Sequence, residues 1–590
     1  MATPNTRSER APMRLDLTQD QRFFGQPVGL ATLFSAEMWE RFSYYGLRPL
    51  LVLFMIAALG EGGYGFPREQ ASAIVGIYGA LVYLASLPGG WVADRLLGLR
   101  KAVLVGAVLI SLGHLSIGIS GLFGPDGKVP FFLGLLLIVL GTGLLKPNIS
   151  ALVGDLYPEG GARRDAGYSI YYMGINIGAF FGQILTGTFA AAFGWHWGFG
   201  LAGIGMFLGL IIFWAFANKT LGDAGVEPSR DPDPEVQARQ EKMGWSIVWG
   251  GLGVTALVFV LAALGVIAID AATIASYMTY VLVGLAVLFF GYMFFLGGLT
   301  SDEKKRVVVI MVLFIFAAIF WGAFEQAPTS LNLFANDFTD RVYDTSWVPA
   351  GLRTAGLAIG ILGLAGVVLW FVAHVMRHRT TAGFRGGLAL LGLLVGTIFL
   401  FLGLVAGKPT FEVPTTWYQS INALCIILLA PVAAAVWMAL GRRGSDLSSP
   451  AKFALGLAFA GVGFAVMIVA ANRIVGSADV VKVGSAWLFF SYMFQSIGEL
   501  CLSPVGLSSM TKLSPRKFVG QMMGVWFLAS AVGNLIGGLV GHLVDPTQPE
   551  QMPGLFMGTT IALFVAAGIL AALVIPIRRM MATAQDKGVA

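Results

Sequence analysis

The chain has little charge, almost no cysteine and no signature of a hydrolytic or nucleotide-burning site. Lys, Arg, Asp and Glu make up 12% of its 590 residues while 56% are hydrophobic. With long apolar runs recurring from end to end, that scarcity excludes an ordinary water-soluble fold and predicts a polytopic membrane protein. The runs are ~20 residues or longer and lack period-2 alternation, which excludes a β-barrel and leaves helices throughout, because an unpaired backbone group in hydrocarbon costs several kcal/mol. The two cysteines, Cys425 and Cys501, sit inside apolar runs. Their placement promises neither a disulfide nor a metal site, and both are read as small core residues. No HExxH, GxSxG or GxxxxGK[ST] segment occurs, so nothing supports an intramembrane enzyme or an ATP-driven pump. No apolar core ending in a small-residue cleavage site opens the chain, so a removable signal peptide is not expected and the first helix is its own insertion signal.

About sixteen spans meet the ~20-residue criterion. They are 28–58, 70–93, 101–123, 130–157, 165–191, 195–217, 244–269, 273–297, 307–333, 352–376, 385–406, 415–440, 451–472, 484–510, 517–542 and 554–577. Taken alternately, the loops sort their cations. One side carries Arg95, Arg100 and Lys101, then Arg163 and Arg164, then Lys219, Arg239 and Lys242, and so on through Lys512, Arg516 and Lys517, with both tails. The other side carries only Arg68, Lys128, Arg341, Arg353, Lys408, Arg473 and Lys482. The bias holds in every successive loop pair, which predicts an even number of spans and two cytoplasmic termini. The pI of about 9.2 then records orientation rather than a nucleic-acid partner.

The longest polar stretch, residues 218–243, is rich in Pro, Gly and charge and reads as a cytoplasmic linker. The expected organisation is a cytoplasmic tail over 1–27, a six-helix bundle over 28–217, the linker, an extra transmembrane hairpin over 244–297, a second six-helix bundle over 307–577 with an inserted hairpin at 352–406, and a cytoplasmic tail over 578–590. Two six-helix halves around a central path are the usual architecture of a secondary transporter.

Against this apolar background the segment EMWERFSYYGLRPLL, residues 37–51, places Glu37, Glu40, Arg41 and Arg48 inside a membrane helix. Each costs ~2.5–3.5 kcal/mol near the helix centre, so the four cost on the order of 10–14 kcal/mol before pairing. Glu37 and Arg41 are four apart on one face, Tyr44 and Arg48 continue it, and Glu40 lies beside it. Lys146 lies in GTGLLKPNISALVGD, where Pro147 removes an amide donor just beyond the ammonium. Glu325 lies in FWGAFEQAPTSLNLF and Glu499 in SYMFQSIGELCLSPVGLS. The first half thus offers Arg41, Arg48 and Lys146 and the second offers carboxylates, a polarity suited to a zwitterion between them. Four carboxylates, Glu37, Glu40, Glu325 and Glu499, face three cations, so the set is one positive charge short and favours a bound proton.

These segments resemble the proton-coupled oligopeptide transporter (POT/PTR) family of the major facilitator superfamily. The ExxERFxYYG motif is matched in full by Glu37, Glu40, Arg41, Phe42, Tyr44, Tyr45 and Gly46, and YYMGINIGAFFG resembles a second signature at Tyr172 and Asn176. GGWVADRLLGLRKA looks like the superfamily's loop motif, and GELCLSPVGLS and VPTTWYQSIN look like family segments of the second half. The resemblance implies an all-α major facilitator fold. It implies that Arg41, Lys146 and Asn176 hold a peptide carboxylate, that Asn422 and Glu499 hold its amino terminus, and that Tyr45, Tyr83 and Tyr172 line the pocket with Trp321 and Trp526 as walls. Glu37, Glu40 and Lys146 would serve proton coupling, and Arg48 with Glu325 looks like the pair that couples proton movement to the outward gate.

Two departures stand out. Gly76 occupies the place, seven residues before Tyr83, where animal members have a histidine, which excludes a histidine proton site there. Ala423 follows Asn422 where the family usually has proline. The five histidines are read as structural. The hairpin at 244–297 resembles one in bacterial members, whereas 352–406 has no counterpart to name. The expectation is a proton-coupled symporter importing di- and tripeptides across the cytoplasmic (inner) membrane by alternating access, monomeric in the lipid bilayer, with no cofactor and no nucleic acid. A proton-driven drug or metabolite exporter of the same superfamily is the alternative, and a membrane receptor or intramembrane enzyme the reading from a different class. An exporter would not need cations and a carboxylate to clamp opposite ends of one substrate, and a receptor would leave the relay charges without a task.

Overall fold

A computed structural model describes residues 20–585 apart from 160, 229–232, 269, 377–391, 393–394, 397–398, 444–446, 477–480 and 516–517. Residues 1–19 and 586–590 of the expected tails, and the start of the expected span 385–406, lie outside the described residues. The first half comprises α1 (Val28–Ile56), α2 (Arg68–Leu84) carried on by α3 (Ser86–Val92), α4 (Leu99–Ser120), α5 (Lys128–Asp155), α6 (Gly161–Phe193) and α7 (Trp195–Thr220). Helices α8 (Pro234–Ala263) and α9 (Ala271–Phe295) follow. The second half comprises α10 (Ser301–Phe324) with the short α11 (Ser330–Asp337), then α13 (Trp417–Arg442), α14 (Ser449–Val475), α15 (Ala486–Leu513), α16 (Val519–Leu539) and α17 (Gln551–Gln585). Between them α12 (Leu352–Met376) runs out and residues 399–405 return as helix. Among the described residues, eleven helical stretches are long and apolar enough to cross a membrane. Helix α1 stands apart from them through its four charges.

The polar stretch expected as linker is helical from Pro234 onward. The Asp233 side chain accepts a hydrogen bond from the Glu235 amide at 2.9 Å. Proline occupies the first turn, where no amide donor is needed, and the Glu, Gln, Arg and Lys that follow are good helix formers. Polar composition signalled a linker there, and helix propensity with a cap outweighs it.

Close approach of backbones positions the charged stretch of α1. A Cβ at Gly178 of α6 would collide with the Met38 carbonyl, and one at Gly182 with that of Phe42. Without side chains at these two positions, α6 lies directly against the turns that carry Glu37, Glu40 and Arg41. Helix α9 packs Ala271, Ala275 and Leu282 with Ala73 and Ala80 of α2 and with Ala531, Val532 and Leu535 of α16, so it touches both halves.

The two halves are bonded to each other at one end. Asn332 Nδ2 donates to the Pro49 carbonyl at 2.7 Å, and Thr416 Oγ1 to the Gln183 carbonyl at 2.8 Å. Trp417 Nε1 donates to Ile184 O and Thr188 Oγ1, each at 3.1 Å. Arg68 pairs with Asp337 at 2.7 Å and donates to Val544 O at 3.1 Å. Two short sheets brace this end: β1 (Thr339–Asp340) runs parallel to β4 (Val483–Gly484), and β2 (Val342–Asp344) antiparallel to β3 (Thr410–Glu412). At the opposite end, the side-chain bonds seen among the described residues include ones that stay within the first half. There Arg100 Nε donates to Ala224 O at 2.6 Å, and Arg163 donates to the Asp20 carbonyl.

Candidate functional site

Helix α1 concentrates three of its charges within one turn. Arg41 Nε lies 3.0 Å from Glu37 and 2.5 Å from Glu40, all three side chains being at most 3% exposed. The i,i+4 spacing brings Glu37 onto Arg41 along one face, and the neighbouring Glu40 reaches it from the side. Two carboxylates on one guanidinium leave one net negative charge in a dry place, which a single proton neutralises. Tyr44 follows, its ring 5.4 Å from the Arg41 guanidinium and 5.9 Å from that of Arg48, and stacked at 6.2 Å on Tyr78.

One turn further on, Arg48 reaches across to the second half. Its Nη2 binds the Glu325 carboxylate and donates to Asn534 Oδ1 at 2.7 Å. Glu325 caps the end of α10, and Asn534 on α16 fits because the facing residue of α2 is Gly79, where a Cβ would collide with the amide. The pair couples the two halves directly, so they cannot part here without freeing one buried charge on each side.

Lys146 and Glu499 are different. The Lys146 ammonium sits 4.1 Å over the ring of Tyr83 and makes no ion pair within 4 Å among the described residues. Glu499 receives a hydrogen bond from Asn422 Nδ2 at 3.0 Å, and the same amide group donates to Ser496 at 3.0 Å, but no cation touches it among the described residues. Both groups interact electrostatically with Glu325, Lys146 also with Arg41, Glu40 and Glu37. They stand on opposite halves, Lys146 on α5 and Glu499 on α15.

Of the other expected site residues, Tyr45 and Tyr172 both lie in the field of Glu499. Tyr172 is nevertheless 41% exposed. Asn176 Nδ2 donates to the Tyr172 carbonyl at 3.0 Å. Trp321 and Trp526 meet edge to face at 6.5 Å, both buried. The sequence reading passed over a group of neutral polar side chains. Gln183, Gln419 and Gln495 join Tyr45, Arg48 and Asn422 around a cavity of about 40 Å³ beneath the sealed end. It also passed over Asn534 and the Arg68–Asp337 pair. Three glutamines in otherwise apolar helices were the available signal for the cavity.

The arrangement can hold a molecule with a negative and a positive end between Lys146 and Glu499, and can take up a proton at the Arg41 cluster. Comparisons with known proteins bear on which molecule that is. Residues 100–232 and 396–553 match the model of the POT family, PTR2. The peptide transporter YePEPT of Yersinia enterocolitica subsp. palearctica is 42% identical over 565 residues, 96% of this chain and 97% of that one. A di-/tripeptide transporter of Lactococcus lactis subsp. cremoris is 34% identical over 526 residues, 88% and 89% of the two chains. Among solved structures, a peptide transporter POT in complex with alafosfalin is 35% identical with a TM-score of 0.75, covering 96% of this chain and 99% of that one. A POT family transporter in complex with 5-aminolevulinic acid is 31% identical, again with a TM-score of 0.75, covering 95% and 98%.

Proposed function

Because the chain belongs to the POT family, we propose that it is a proton-coupled symporter that imports di- and tripeptides by alternating access, and that it is a transporter rather than an enzyme. One observation carries this reading: Lys146 of the first half and Glu499 of the second are opposite in sign, and neither has an ionic partner among the described residues. A free peptide supplies the two missing partners. Its carboxylate is taken by Lys146 and Arg41 with Asn176 alongside, and its ammonium by Glu499 and Asn422. Tyr45, Tyr83 and Tyr172 flank the backbone, and Trp321 and Trp526 wall the space for side chains. Both ends being clamped, the peptide is short, and side-chain identity matters less than the termini.

The proton enters the same account. When the peptide carboxylate takes part of Arg41, Glu37 or Glu40 loses its partner, and protonation neutralises the freed group. Release of Arg48 from Glu325 opens the sealed end, Glu325 takes a proton while it stands alone, and closure returns it. The proton gradient is the only driving force the scheme needs. The excess of loop cations at the opposite end supports the reading that the sealed end lies outside and both termini in the cytoplasm, with the chain in the inner membrane. The monomer contains every group named.

Dipeptide uptake into proteoliposomes tests the reading. An imposed inward-acid gradient should drive accumulation of a free dipeptide. Amidating its carboxylate or acetylating its amine should each weaken competition by about tenfold or more, the worth of a charge-assisted hydrogen bond. Equal competition by free and capped peptides would refute the two-ended clamp.

A further inference from the structure

Outside the seal lies a second, larger cavity of about 430 Å³. Its floor includes Thr416 and Thr188, whose hydroxyls take part in the bonds between the halves. Anything inside it therefore rests directly on the seal. Phe411 forms part of the wall, and three charged side chains reach it: Arg341, Lys408 and Glu412. The antiparallel register of β2 and β3 sets Val342 opposite Glu412, so the charged rim is fixed to a braced hairpin. Arg341 Nη2 pairs with Glu412 at 2.8 Å and Nη1 donates to the Val413 carbonyl at 2.8 Å. Its Nε is buried with no hydrogen-bond partner. Lys408 is exposed and forms no ion pair among the described residues. Two cations against one carboxylate leave this cavity with a net positive charge, Lys408 being the one exposed to an entering ligand.

We propose that this cavity is an outer subsite, which takes the carboxylate end of a short peptide on Lys408 and Arg341 before the seal opens. The proposal rests on the import reading given above. The position explains why such a subsite would matter. The peptide end that the inner Lys146 requires is already oriented at the seal, and parting the halves carries the floor of the cavity into the central path. An exposed lysine acts partly through its field, so the effect weakens with salt.

The test uses the full-length protein in proteoliposomes, inserted in one known orientation, with a zwitterionic dipeptide and its C-terminal amide as probes. Lys408→Glu should raise the half-saturation concentration for uptake from the outer side by roughly threefold to fivefold at low salt, as expected for one partly exposed ionic contact. It should flatten the salt dependence that the wild type shows, and Lys408→Arg should behave as wild type. Half-saturation for efflux from the inner side and maximal rate should stay unchanged in Lys408→Glu, and the amide, a net cation, should be taken up no less readily than by wild type. Equal outer half-saturation and equal salt dependence in Lys408→Glu and wild type would overturn the subsite alone. So would an equal rise on both sides of the membrane. A wild type that carries no dipeptide overturns the import reading and the subsite with it.

Discussion

The two ends of the molecule are held by different kinds of bond. At the sealed end the bonds cross between halves: Asn332 to Pro49, Thr416 to Gln183, Trp417 to Thr188, and the Arg68–Asp337 and Arg48–Glu325 pairs. At the other end the bonds named above stay within one half, where Arg163 and Arg22 hold Asp20 and Arg100 holds the segment after α7. A bond that crosses must break each time the protein changes state, whereas one inside a half can persist through the whole cycle. Mutations at the sealed end should therefore move populations and coupling, and mutations at the other end should move stability only.

The largest effect is expected between the two ends, at Lys146, which forms no ion pair among the described residues. Lys146→Ala removes one of three cations from a set with four carboxylates and, on the proposed clamp, a partner of the peptide carboxylate. Acid-driven uptake should fall by about a hundredfold or more, the loss typical of truncating one member of a buried ionic contact. Uptake within a fewfold of wild type, in a variant shown to be inserted, would place the carboxylate elsewhere.

Next comes the crossing pair itself. Glu325→Gln keeps a hydrogen-bond acceptor for Arg48 but cannot carry a proton. Exchange of labelled peptide between equal pools should continue, while accumulation under an acid gradient should be lost. A variant that still concentrates peptide in response to external acid would move the coupling to the Arg41 cluster.

Sequence alone made the charged part of this site legible because a buried charge is expensive and therefore conspicuous. The costs of Glu37, Glu40, Arg41 and Arg48 single them out before any fold is known, and the resemblance paired Arg48 with Glu325, which do meet. Gln183, Gln419 and Gln495 were not singled out, because a neutral amide in an apolar helix costs less and its partners lie on other helices. Arg68 and Asp337 stand at helix ends, where charge is ordinary, so nothing marked them as a pair. Most of the long helices follow from apolar runs, although about sixteen spans are expected and eleven stretches among the described residues are long and apolar enough. The helical start of α8 does not, because the residues that cap and extend it are the polar ones that also make linkers.

Arg68→Ala sharpens the comparison with a smaller effect. The pair it breaks is partly exposed, 20% and 11% for the two side chains, and is worth about 1 kcal/mol, or about a fivefold shift from sealed to open at this end. Spin-label distances across the outer ends of α2 and α11 should show the larger separation more populated. Unchanged distances would mean that the remaining crossing bonds determine the state by themselves.

The smallest effect belongs to the end whose bonds do not cross. Asp20 precedes α1, accepts from Arg22 Nε at 2.7 Å and from the Val28 amide at 2.9 Å, and so ties the chain's approach to the first turn of that helix. Burial is the largest single influence on its carboxyl and pushes it up, but the hydrogen bonds from Arg22 and Val28 with the Arg22 charge together hold it below the usual carboxylate range. A carboxyl depressed in the folded state adds stability that is fully present above its unfolded value, and that stability is lost as pH falls through the folded value. Asp20→Asn should therefore lower the melting temperature by no more than about 2 °C at neutral pH. The gap to wild type should stay constant down to about pH 5 and narrow only below about pH 4. The same variant should leave the spin-label distances at the sealed end where they were. If Asn at position 20 instead changes those distances, the two ends are coupled through α1, and bonds inside a half would have to be counted among those that set the state.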